Sequence, residues 1–199
     1  MKRLKTRALK KLRNPQRLRS RCKLFHDLMA KMRKKENKSC HTLIYEGELL
    51  RLFRYTLEYG KLGLETCGQF FGTDTSKGTP VVNYVLGPGP DAEHYPAFCR
   101  QDIPFLQKQG KRLIEDFGLN QVGEWHSHHH LGLPFPSGHD SRNMLRNLKG
   151  MKRYLLCIAT CDDHSANAVP FMFNPGGFAK WEWEIIPGES PVRTRMEAL

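Results

Sequence analysis

No stretch of the 199-residue sequence approaches the roughly 20 consecutive apolar positions that a membrane-spanning helix needs. The opening residues, Met1–Arg13, lack the apolar centre of a secretory signal. None of the six cysteines (Cys22, Cys40, Cys67, Cys99, Cys157 and Cys161) belongs to a C-x-x-C pair, and none lies near the histidines in sequence. These absences lead us to expect reduced thiols in a cytoplasmic protein. Cys157 and Cys161 fall in an apolar strand, where thiols behave as small hydrophobes. There are no internal repeats. No RNA-binding motif with interleaved aromatics is present, which argues against nucleic acid as the main partner.

Charge is plentiful but unevenly placed. The formal net charge is +12, yet residues 1–38 hold sixteen Lys/Arg against only Asp27 and Glu36, a net of +14. The remainder has sixteen basic and eighteen acidic residues, a net of −2. The chain therefore divides into a basic arm (1–38), a near-neutral globular domain (39–190) and a short C-terminal tail (191–199). In the arm, Leu4, Ala8, Leu9 and Leu12 recur at helical spacing. After Pro15 a second helical stretch spans roughly residues 16–35. Such a basic amphipathic arm suits an acidic partner, a membrane surface, nucleic acid or an organelle-targeting role; a solubilising extension is the bland alternative.

From Thr42 the pattern is that of a mixed α/β domain of short strands and three helices. Short strands are expected at 42–45, 64–72, 81–86, 121–126, 153–161, 168–173 and 181–185. Helices are expected at 47–59, 104–117 and 140–148. The first would turn Leu49, Leu50, Phe53 and Leu57 inward and leave Glu46, Glu48 and Glu58 solvated. Asp162-Asp163-His164 is expected as a turn, and Trp181 and Trp183 as core and cover.

Five of the nine histidines lie between His126 and His139. His126 and His128 are spaced i, i+2, so on an extended strand both imidazoles leave from one face. Two neutral imidazoles make a poor core pair and a good half of a metal site. The run is internal and interrupted, unlike an expression tag. The Gly/Pro-rich segment from Leu131 to Gly138 could turn the chain back and present Asp140 as a third ligand, although His139 is also available. Three protein ligands would leave zinc a fourth position for water, as catalytic sites require.

His126-Ser127-His128, eight residues, then Ser137-x-x-Asp140 resembles the signature of the JAMM (MPN+, JAB) metalloproteases. Glu65-Thr66-Cys67-Gly68-Gln69-Phe70-Phe71-Gly72 resembles the family's upstream glutamate element. The approach Gly123-Glu124-Trp125 and the turn Gly87-Pro88-Gly89-Pro90 are similar to the prokaryotic branch, and the likeness covers roughly residues 42–187. It implies an MPN/JAB-like (cytidine-deaminase-like) single domain, here carrying a basic N-terminal extension. It further implies one Zn²⁺ held by His126, His128 and Asp140, Glu65 as general base, and Ser137 as the donor that stabilises the oxyanion. The family usually has proline after its second histidine; here His129 and His130 stand there and could line the mouth of the site. Glu124, on the same strand face as His126, could support a ligand histidine or be structural.

Family members mostly cleave isopeptide bonds that follow the C-terminal glycine of a ubiquitin-like protein. The prokaryotic branch often accompanies E1-like and E2-like enzymes, including in antiviral operons. The resemblance thus implies a zinc isopeptidase or processing peptidase for a bacterial ubiquitin-like modifier. Two other readings compete: an inactive MPN scaffold, and a nucleic-acid-associated protein led by its arm.

Overall fold

The computed structural model describes residues 40–128, 132–148 and 150–198. The expectations for the arm at 1–38, and for His129 and His130, lie outside the described residues. Ten strands and four helices are found there, in the order β1 (His41–Tyr45), α1 (Glu46–Gly60), β2 (Cys67–Asp74), β3 (Pro80–Leu86), β4 (Glu93–Tyr95), β5 (Phe98–Arg100), α2 (Ile103–Phe117), β6 (Asn120–Ser127), α3 (Gly138–Asn147), β7 (Tyr154–Cys161), β8 (Ala166–Asn174), β9 (Gly177–Lys180), β10 (Glu182–Ile186) and α4 (Pro191–Glu197). Eight strands make one mixed sheet, ordered β10-β1-β3-β2-β6-β7-β8-β9, and β4–β5 form a separate hairpin.

The sheet is organised around β6 and β7, which run parallel. In β7, Leu155 through Ala159 are all fully buried. Their continuous apolar run is what a strand covered on both faces requires. On β2, a side chain at Gly68 would collide with the Leu86 carbonyl oxygen and stand 2.7 Å from Trp125 Nε1. Glycine there opens the path by which the Trp125 indole donates to Leu86 O at 3.2 Å. That packing is a physical reason for glycine three residues after Glu65.

Four sequence expectations fail in instructive ways. On α1, Leu49 and Phe53 pack against the core as expected, but the fully buried stripe is Glu48, Leu52 and Thr56, and Leu50 is exposed. Glu48 is fully buried rather than solvated. The cause lies at the far end of the chain: residues 191–197 are not tail but α4, and Arg193 reaches into the core. Arg193 Nε and Nη2 donate to the two Glu48 oxygens at 2.9 and 2.8 Å, and Nη2 also donates to Val85 O at 2.9 Å. The Val85 amide donates to Glu48 Oε2 at 2.6 Å, and the guanidinium lies 3.5 Å over the Tyr84 ring. Neither partner tolerates burial alone. Arg193→Ala is expected to cost about 3 kcal/mol of unfolding free energy, measured by urea denaturation, by stranding the Glu48 charge. A change within about 0.5 kcal/mol would mean that α4 is not part of the folded unit.

The fourth failure concerns the thiols. Cys67 and Cys99 are joined by a disulfide, with Cα atoms 6.0 Å apart, inside the usual range for a bridge. The 32-residue separation hides the pairing, since nothing local signals that β5 folds back on β2. Cys40, Cys157 and Cys161 are free, and Cys157 is fully buried. Asp162 does form the expected turn, accepting from the amides of His164 and Ser165 at 2.8 and 2.7 Å. Trp183 packs against the core and donates to Ala168 O at 2.9 Å. No helix among the described residues is long and apolar enough to cross a membrane.

Candidate metal centre

The site lies where β2 and β6 run side by side at the middle of the sheet. They pair antiparallel with Cys67 opposite His126. Glu65, two residues before Cys67, and His128, two residues after His126, lie just beyond that end of the pairing, near enough for their charges to interact. Ser127, between the histidines, points the other way and is fully buried. Its Oγ accepts from Thr66 N at 2.8 Å, and its amide donates to Thr66 O at 2.8 Å. Ser127 thus clamps the histidine strand to the glutamate strand. Its sequence position gives a usable signal: a hydroxyl alternating with two cleft-facing histidines must turn the other way and find a partner.

His126 Nε2 and His128 Nε2 are 2.9 Å apart, and Asp140 Oδ2 lies 3.6 and 3.5 Å from them. These three residues form a group that could hold a metal ion. Ligands about 2.0 Å from a tetrahedral zinc ion stand roughly 3.3 Å from one another, and the three measured separations bracket that value. His128 Nδ1 faces Leu133 O at 3.3 Å. A carbonyl only accepts, so that nitrogen carries the hydrogen and Nε2 presents its lone pair to the group. The donor set therefore fits a zinc ion in identity and spacing, and His128 fits it in tautomer as well.

Asp140 is placed by its own helix. Ser137 is the N-cap of α3: its Oγ accepts from Asp140 N at 3.1 Å, and its amide donates to Asp140 Oδ2 at 2.7 Å. This capping box fixes the carboxylate beside the histidines. It also occupies Ser137 Oγ as an acceptor and leaves its O–H free to donate. His139 is exposed and bonds instead to Asn143, at 2.7 Å.

The electrostatics separate the carboxylates. Burial pushes the Glu65 carboxyl up to about 7; the Asp140 charge adds to the rise and His128 opposes it. Burial, then Asp140, likewise raises Glu124 to about 7. Burial would also raise Asp140, but hydrogen bonds from His126 and His128 hold it well below the usual carboxylate range. Burial lowers His128, and Asp140, followed by Glu65, more than restores it, for a net rise. Among the described residues, Glu124 makes no hydrogen bond to either histidine.

Glu65, His126, His128, Ser137 and Asp140 line one cleft of about 580 Å³, together with Glu124, Phe98 and Cys99. One wall is the β4–β5 hairpin, which sequence reasoning missed. Its strands are three residues each, too short to show a period.

A large mixed sheet with a His/His/Asp group at the end of a central strand defines an MPN/JAB-like domain. The family model described as prokaryotic homologs of the JAB domain matches residues 51–174. The chain belongs to this prokaryotic JAB family. The solution structure of protein DSY2949 from Desulfitobacterium hafniense shares the fold, at a TM-score of 0.56 and 17% identity. That match covers 74% of this chain and 94% of the other. No curated protein matches the chain.

Proposed function

We propose that this protein is a zinc-dependent isopeptidase or processing peptidase that cleaves after the C-terminal glycine of a ubiquitin-like protein. The observation that carries the reading is the convergence of three metal-binding side chains and a buried, hard-to-ionise carboxylate, Glu65, in one cleft. His126, His128 and Asp140 would hold the ion, which would supply a water acidified to a pKa of about 7 and a Lewis acid for the scissile carbonyl. Glu65 accepts a proton from the attacking water and returns it to the departing lysine amine. Ser137, with its O–H unspent, donates to the oxygen on which charge develops. A slim, glycine-ended tail fits a cleft walled by a hairpin and a sheet. E1-like and E2-like enzymes that attach the modifier are the expected partners.

The direct test is purified full-length protein, loaded with zinc and incubated with a ubiquitin-like protein extended beyond its C-terminal glycine. Cleavage at that glycine, abolished by a chelator and restored by zinc, supports the reading. Substoichiometric zinc with no cleavage would instead mark a scaffold. The pH profile gives a second check. Glu65 works only as the carboxylate, so kcat/KM should fall as pH drops through its pKa. That value is about 7 without a cation nearby, and a cation can only lower it. The acid limb is therefore expected at or below about pH 7. A limb well above that value would assign the proton transfer to another group.

A further inference from the structure

We propose that the Cys67–Cys99 disulfide is a positioning device for Glu65, holding the β4–β5 hairpin against the strand that carries the base, and that thiol reductants release it. The inference rests on the hydrolytic reading above and adds what keeps the base in place.

The hairpin touches the Glu65 segment at three points. The Glu65 amide donates to Tyr95 O at 2.8 Å. His94 Nδ1 lies 2.9 Å from Glu65 O and, facing a carbonyl, must be the donor. The third point is covalent: Cys67 stands two residues after Glu65, and Cys99 stands in β5. The backbone of Glu65 is thus held entirely by the hairpin, while the Thr66 backbone is held by Ser127 on the next strand. The hairpin is poorly equipped to stay put alone. Its two three-residue strands form a sheet of their own, and Tyr95 and Phe98, stacked with centroids 4.2 Å apart, remain exposed. A two-stranded ribbon of that size has little independent stability. The disulfide supplies the constraint that two hydrogen bonds and the stacking of His94 on Tyr59 do not.

The bond is also placed to be reached. Cys67 is buried, but Cys99 is half-buried and both line the cleft. A dithiol reductant attacks Cys99 Sγ as its thiolate, and Cys67 leaves as a thiolate and takes up a proton. The second thiol of the reductant then displaces Cys99, which becomes a thiol, and the reductant departs as a cyclic disulfide. Two electrons and two protons pass to the protein, and one S–S bond breaks as another forms.

The test uses full-length, zinc-loaded protein, oxidised or treated with a dithiol reductant in the presence of excess zinc, in two arms. In amide exchange followed by mass spectrometry, peptides covering 93–100 should exchange on the order of tenfold faster after reduction, while β7 and β8 are unchanged. In cleavage assays, reduction should lower kcat by about tenfold or more, because a displacement of about 1 Å at a reacting group costs up to roughly 100-fold. The fall in kcat should exceed any rise in KM, zinc should stay bound, and reoxidation should restore the rate. Cys99→Ser should match reduced wild type and ignore the reductant. Equal exchange in both redox states overturns the proposal, as does a reductant effect of the same size on Cys99→Ser, or a loss confined to KM. A protein that shows the exchange change but cleaves nothing upholds the fastening and overturns the hydrolytic reading instead.

Discussion

Glu65→Gln is expected to leave the protein folded and zinc-loaded while cleavage falls on the order of 10³-fold, within the range that general acid–base groups contribute. The argument has two independent parts. Glutamine matches glutamate in shape but cannot take a proton, so the chemical step loses its base. Residue 65 is held through its backbone, by Tyr95 and His94, and those hydrogen bonds survive the change. The second part concerns stability. The Glu65 carboxyl is pushed up to about 7 from an ordinary 4.5. The stabilisation gained by protonating it in the fold is full below about pH 4.5 and is lost as pH rises through about 7. At pH 8 the metal-free wild type therefore carries an unfavourable buried charge that the amide lacks. Metal-free Glu65→Gln should melt at the same temperature as wild type or higher, measured at pH 8. Slow cleavage joined to undiminished stability and full zinc content identifies the base; unchanged turnover removes Glu65 from the mechanism. A large drop in melting temperature would show that the side chain, and not only the backbone, holds the strand.

The histidine half of the site was legible because its rules are local. Period-two alternation on β6 sends His126 and His128 to one face, and the capping box that starts α3 ties Ser137 to Asp140 within three residues. Glu65 was legible only through the family resemblance. What brings it to the histidines is the β2–β6 register, a long-range fact anchored by Ser127 and by the space at Gly68. The hairpin wall left no periodic trace, because it is held by contacts to residues some thirty positions earlier rather than by a pattern of its own. Glu48 misled for a similar reason. A carboxylate on a helix reads as solvated until its partner is found, and Arg193 lies 145 residues away. Elements whose stability comes from one distant partner escape sequence reasoning, whereas those set by period or cap do not.

Asp140→Asn separates the metal from the fold more sharply than any histidine change. The aspartate belongs to two assemblies through the same oxygen: Oδ2 accepts from the Ser137 amide at 2.7 Å and faces both His126 and His128. An asparagine oxygen can still accept from Ser137 N, so the start of α3 should survive, and asparagine is well tolerated near helix N-termini. What it cannot supply is the negative charge. A neutral amide is a poor zinc ligand beside two imidazoles, and the ion would then sit with its full charge uncompensated. Loss of a mere outer partner costs about 10–100-fold in affinity. Loss of a ligand should exceed that, so zinc affinity is expected to fall by more than roughly 100-fold and cleavage with it, while the metal-free protein keeps its secondary structure by circular dichroism. Asp140→Ala provides the contrast, since it should add about 1 kcal/mol of destabilisation from the broken cap. If Asp140→Asn bound zinc as tightly as wild type, the ion would be held by some other set of residues, and the convergence of Asp140 with the two histidines would be no more than a charged cap meeting a pair of imidazoles.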